Sequence, residues 1–153
     1  MSTPIKTHQI RRVAVLGSGV MGSAIACHLA QTGSEVLLLD LPSKEGPRNS
    51  PAEGALKASL KSKPSPLYSK RFVKRIECGN FDDDLNRIAE CDWIIEVIVE
   101  RLDIKQQLFE RVEKYRKPGT LITSNTSGIP ITQLSEGRSE DFQKHFCGTH
   151  FFN

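Results

Sequence analysis

The chain has 153 residues, 38% of them hydrophobic and 25% charged, with a formal net charge of +3. That length and balance describe one ordinary globular domain, able to bury roughly two thirds of its unfolded surface. The charge is too small to imply nucleic acid, no basic run is interleaved with aromatics, and no apolar stretch reaches the length of a membrane span or a secretory leader. The expected setting is cytoplasmic, with no nucleic-acid partner and no membrane insertion.

The first apolar run, Val13 to Leu16, reads as a buried strand, and Ser23 to Gln31 reads as a helix. Between them lies Gly17-Ser18-Gly19-Val20-Met21-Gly22. In a strand-to-helix turn each glycine has its own task. Gly17 lets the chain turn sharply, Gly19 leaves room for a pyrophosphate, and Gly22 lets the helix press on the strand. Phosphate charge would sit on the free N–H groups of the helix N-terminus. Glycine-rich turns also arise for steric reasons alone, so the context carries the reading. A second apolar run, Glu35 to Leu39, ends in Asp40 and completes a βαβ unit of the expected length. A carboxylate there accepts hydrogen bonds from the hydroxyls of an adenosine ribose and repels a 2′-phosphate, which points to NAD rather than NADP. The competing reading is that Asp40 only ends a strand or starts a turn.

Residues 41–51 are rich in Pro, Gly and Ser and read as a loop. A short helix follows over 52–63, its Lys57, Lys61 and Lys63 either solvated or facing the phosphates of a second ligand. Residues 75–79 read as a strand, 80–84 as a turn and 85–89 as a brief helix. Asp82, Asp83 and Asp84 are consecutive and lack the glycine and distal glutamate of a calcium loop, so helix capping is expected of them rather than metal binding. The run 92–100 is nearly all apolar and reads as the central parallel strand, with Glu100 at its carboxyl end where ligands bind. A long amphipathic helix over 102–116 is expected to bury Ile104, Leu108, Phe109 and Val112. Leu121 to Ser124 is the next strand, with the polar turn Asn125-Thr126-Ser127-Gly128 at its end. A short helix near 131–136 and a last strand near 146–150 complete the pattern. Alternation of strand and helix predicts an α/β, Rossmann-type, doubly wound sheet with helices on both faces, spanning residues 1–153.

Cys27, Cys78, Cys91 and Cys147 show no metal-ligand spacing and are expected as buried or partly buried free thiols. Cys27 and His28 are adjacent on a helix and therefore point to different parts of its surface. Glu100, the turn at Ser127, and His150 with Asn153 all project from one sheet edge. Alcohol oxidation beside a dinucleotide needs a base to take the hydroxyl proton, and imidazole as a class changes charge near neutral pH. His150 is the candidate base and Ser127 a hydrogen-bonding partner of the same oxygen.

Four motifs in order, Gly17 to Gly22, Glu96 to Glu100, Ser124 to Ser127 and His150-Phe151-Phe152-Asn153, closely resemble the NAD-binding domain of the L-3-hydroxyacyl-CoA dehydrogenases of fatty-acid β-oxidation. The resemblance covers nearly the whole chain and implies His150 as the base and Ser127 on both substrate and cofactor. It further implies Glu100 and Lys105 near the nicotinamide ribose and Asn153 on the nicotinamide side. The glycine-turn residues Gly17, Ser18, Gly19, Val20, Met21 and Gly22, with Asp40, complete the implied NAD site. Residues 42–68 depart from the longer helical pair common in the family and look like its bacterial fused forms. Ser59 and Lys63 are the candidates for contact with coenzyme A, and Asn125 is a further substrate candidate; no metal is implied. The family continues beyond the position of Asn153 into a proline-rich crossing and then a helical domain that forms oligomers, and the glutamate that orients the histidine lies shortly beyond that position. The sequence is therefore expected to bind NAD and to turn over an acyl-CoA substrate poorly on its own. A different 3-hydroxyacid dehydrogenase with a later lysine base, and a non-catalytic NAD(H)-sensing module, are the alternatives.

Overall fold

A computed structural model describes residues 9–152. Among them six strands form one sheet: β1 (Arg12–Leu16), β2 (Glu35–Asp40), β3 (Ile76–Asn80), β4 (Trp93–Glu96), β5 (Leu121–Ser124) and β6 (Phe146–Gly148). All pairings are parallel, in the spatial order β3-β2-β1-β4-β5-β6. The order reverses between β1 and β4, and the crevice beyond the carboxyl ends of the strands at that point is where open α/β sheets bind ligands. The Rossmann-type, doubly wound sheet expected from the sequence is present.

Successive strand residues face opposite sides, and both sides are apolar because both are covered. Ala14, Leu16, Leu37, Leu39, Ile94 and Ile122 pack on one face with Leu108, Phe109 and Val112 of α3 (Leu102–Tyr115) and Phe142 of α5 (Glu140–Lys144). Val13, Val15, Val36, Leu38 and Ile95 pack on the other with Ile25, Ala26, Leu29 and Ala30 of α1 (Val20–Thr32) and Leu56 of α2 (Ser50–Leu60). Each Val, Leu, Ile or Phe among them contributes about 1.5–3 kcal/mol on full burial. A short α4 (Ile131–Leu134) is the remaining α-helix among the described residues, beside 3-10 turns at Lys70–Arg75 and Leu85–Glu90.

Three sequence expectations are corrected. The strand expected over 92–100 ends at Glu96, because β1 ends at Leu16 and β5 at Ser124, opposite that residue, and leave no ladder to extend. In α3 the buried stripe is Lys105, Leu108, Phe109 and Val112, so a lysine occupies an apolar position while Ile104 turns toward the ligand cleft. The acidic run caps nothing with its side chains. Asp84 accepts the Asn80 N–H at 2.9 Å, and Asp83 pairs with Arg48. Sequence reasoning also missed α5, although Ser139 caps it by accepting the Phe142 N–H and Glu140 and Asp141 supply acid to its first turn.

The carboxyl edge of the sheet is stepped by one hydrogen bond per strand. Gly17 N–H donates to the Leu39 carbonyl, Val97 to Leu16, Asn125 to Glu96 and Thr149 to Ser124. This lines up the glycine turn, the β4 exit, the β5 turn and the approach to His150 along one edge.

Candidate active site at the carboxyl edge of the sheet

The glycine turn is shaped by exclusion. Gly17 has φ of +111°, and a Cβ there would stand 2.6 Å from the Val97 carbonyl oxygen. A Cβ on Gly22 would lie 1.9 Å from the Gly17 oxygen, so α1 can close on the turn only without one. A Cβ on Gly19 would meet nothing within 4 Å, because it faces an open cleft. That cleft has a volume of about 640 Å³ and runs from Ser18, Val20 and Met21 past Asp40 and Leu41 to Val97, Ile98, Asn125 and Ser127. The amino end of α1 opens onto it, which leaves free N–H groups and the positive end of the helix dipole available to a phosphate. The pocket, glycine geometry and helix end fit a dinucleotide.

Asp40 ends β2 at the rim of this cleft. One carboxylate oxygen accepts both the N–H of Ser18, at 2.7 Å, and its hydroxyl, and the other accepts the Leu41 N–H at 2.7 Å. Ser18 is buried, and its carbonyl accepts the Ser23 hydroxyl at 2.7 Å. Asp40 therefore ties the glycine turn to β2 while keeping a half-buried carboxylate on the rim of the cleft.

At the other end Glu100 organises the turn after β5. Its Oε1 accepts the Thr126 hydroxyl, the Ser127 N–H at 3.0 Å and the Gly128 N–H at 2.9 Å. Burial pushes the Glu100 carboxyl upward, but the Thr126 hydroxyl, the Gly128 amide and Lys105 outweigh it and hold the group at about 2. Ser127 Oγ lies 2.9 Å from His150 Nε2, and both residues are exposed. The imidazole also packs against the Phe152 ring, with centroids 4.6 Å apart and the planes tilted by 55°. Asn125 lines the cleft and accepts the Phe151 N–H at 2.7 Å, which fixes the chain entering and leaving His150.

Lys105 does not reach the cleft surface. Its side chain is 1% exposed, and its ammonium is spent on Glu96 and Glu100. Ser59 and Lys63 lie apart, in a second cavity of about 620 Å³ between α1 and α2 that shares Ser18, Gly19 and Val20 with the first. Lys57, Lys61 and Lys63 are exposed, as solvated lysines are. Asn153 lies outside the described residues. Among the thiols, Cys27 and Cys91 are buried, and burial raises both to about 11; Cys78 is half-buried. Cys147 is exposed, correcting the expectation of burial, because β6 is an edge strand with one open side. Cys27 is buried while His28 is exposed, so the dipeptide is no dyad. No group of His, Cys, Asp and Glu among the described residues could hold a metal, and no described helix is long and apolar enough to cross a membrane. Sequence reasoning missed Glu96. Its only signal was a charge inside an apolar run.

Residues 12–153 match the family described as 3-hydroxyacyl-CoA dehydrogenase, NAD binding domain. The chain is 46% identical to a probable 3-hydroxyacyl-CoA dehydrogenase of Bacillus subtilis, over 94% of this chain and 20% of that protein. It is 35% identical to the mitochondrial hydroxyacyl-coenzyme A dehydrogenase of Mus musculus, over 94% of this chain and 47% of the relative. The crystal structure of a 3-hydroxybutyryl-CoA dehydrogenase from Escherichia coli superposes with a TM-score of 0.77 at 33% identity, covering 95% of this chain and 30% of that one. The chain thus spans between a fifth and a half of the length of these relatives. Family, fold and glycine geometry agree on the ligand of the cleft, and the chain belongs to the NAD-binding domain family of the 3-hydroxyacyl-CoA dehydrogenases.

Proposed function

We propose that this chain is the cofactor-binding part of an enzyme that oxidises L-3-hydroxyacyl-CoA to 3-oxoacyl-CoA in fatty-acid β-oxidation, with His150 as the base. The observation that carries the reading is the 2.9 Å contact of Ser127 Oγ with His150 Nε2, on the same sheet edge as the glycine turn. NAD+ supplies the hydride acceptor when it is bound. The amino end of α1 and Gly19 take the pyrophosphate, and Asp40 takes the adenosine ribose. Glu100 lies at the nicotinamide end with Ser127.

For His150 to act as base, Nε2 is unprotonated and accepts from a hydroxyl, first that of Ser127 and then that of the substrate. The proton moves from the substrate hydroxyl to Nε2 as the carbinol carbon becomes a carbonyl, and Ser127 keeps its hydroxyl on that oxygen. Asn125 supports this geometry by accepting the Phe151 N–H, and it lines the cleft where substrate would lie. Ser59 and Lys63, in the neighbouring cavity, are placed for the coenzyme A portion of an acyl-CoA. The rest of the parent protein supplies an orienting carboxylate and, from its helical domain, the second wall over the exposed His150 and the oligomer contacts, and the enzyme works in the cytoplasm.

The test compares NADH formation from a short L-3-hydroxyacyl-CoA by these 153 residues and by the full-length parent. The expected outcome is NAD+ binding by both and efficient turnover by the parent alone. Equal turnover numbers would show that the missing wall contributes nothing.

A further inference from the structure

Glu96 is the last residue of β4 and is wholly buried, next to the apolar Ile94 and Ile95. A carboxylate in such a place is costly unless every lone pair is used, and here each is. Its Oε1 accepts the Ile98 N–H at 2.7 Å and the Lys105 ammonium at 2.8 Å. Its Oε2 accepts the same ammonium at 2.9 Å and the Ser124 hydroxyl. The ammonium reaches out once more, to Glu100 Oε2 at 3.1 Å. The other oxygen of Glu100 holds Thr126, Ser127 and Gly128.

An unbroken chain of contacts thus runs from a buried strand residue to the turn that presents Ser127. Stability alone does not account for it, since well-packed apolar residues commonly replace buried ion pairs without loss. Lys105 even displaces an apolar residue from the buried stripe of α3.

We propose that Glu96 is a positioning residue. It locks the Lys105 ammonium against Glu100, and through Glu100 it fixes the Thr126–Gly128 turn at the nicotinamide end of the cleft. This rests on the NAD reading of the site given above. Glu96 touches neither cofactor nor substrate and acts only through Lys105.

ADP occupies the adenosine and diphosphate end alone, whereas NAD+ also needs the nicotinamide end, so the two ligands separate positioning from general loosening. Dissociation constants for ADP and NAD+ are measured by calorimetry on the chain and on Glu96→Gln. The expected result is ADP affinity unchanged and NAD+ affinity lowered about tenfold, the size of effect typical of a residue that orients a ligand-binding group. Because the single change leaves Lys105 short of a countercharge, Glu96→Gln/Lys105→Met, which removes both charges, is measured beside it. The same selective loss is expected there, with the fold checked by circular dichroism. Unchanged NAD+ affinity in the double variant, or an equal loss of ADP and NAD+ affinity in either, overturns the proposal. Failure of the unaltered chain to bind NAD+ would instead overturn the underlying NAD reading, and the proposal with it.

Discussion

Each glycine of the turn meets a different neighbour, and so each makes a different prediction. Gly22→Ala drives a Cβ into the Gly17 carbonyl oxygen, a backbone atom that cannot swing aside. Gly19→Ala meets no protein atom and places its methyl in the cleft. Gly22→Ala is expected to lose at least about 1–3 kcal/mol of stability in urea unfolding. Gly19→Ala should stay within about 1 kcal/mol, as a change at a helix N-cap does, while losing NAD+ affinity. Equal stability losses in the two variants would contradict these separate roles. This division was legible in the sequence because a strand, a turn and a helix leave three glycines few other tasks. The role of Glu96 was not legible. Its partners lie nine residues on in α3 and 28 residues on in β5, and only the fold brings them together.

Three elements meet at Glu100: the exit from β4, the turn after β5 and, through Lys105, helix α3. An ionised Glu100 holds them together. Its folded value of about 2 lies below the ordinary 4.5, so the folded state binds this proton less readily than the unfolded one. The stabilisation is complete above the ordinary value and drains away as pH falls toward the folded one. Urea unfolding of the chain and of Glu100→Gln should therefore differ most above pH 4.5 and converge toward pH 2. A difference that stays constant across that range would mean that the carboxylate charge plays no part. The sequence placed Glu100 at a strand end, and the observed strand stops four residues earlier. Composition marked the run as apolar, but where a strand ends depends on the length of its neighbours, which no local pattern contains. The resemblance put Lys105 near the nicotinamide ribose, and the fold shows its side chain buried, with its ammonium on Glu96 and Glu100.

At the scale of the whole molecule, one sheet edge does the organising. The stepped hydrogen bonds at the strand ends carry the dinucleotide turn, Glu100, Ser127 and His150 onto one line, and the strand order opens a crevice between β1 and β4. That much follows from the alternating pattern of strand and helix, which is why the fold and the four-motif resemblance pointed the same way. The chain spans only part of its relatives, and His150 and Ser127 stand exposed at this edge. We propose that binding and chemistry are separable on this edge, with the cofactor held by the glycine turn and Asp40 and the proton taken by His150. His150→Gln in the full-length parent tests it most directly, with NAD+ affinity and NADH formation from a short L-3-hydroxyacyl-CoA measured together. NAD+ affinity is expected to be nearly unchanged and turnover lowered about 10²–10⁴-fold, the usual worth of a general base. Turnover that survives the substitution would contradict it.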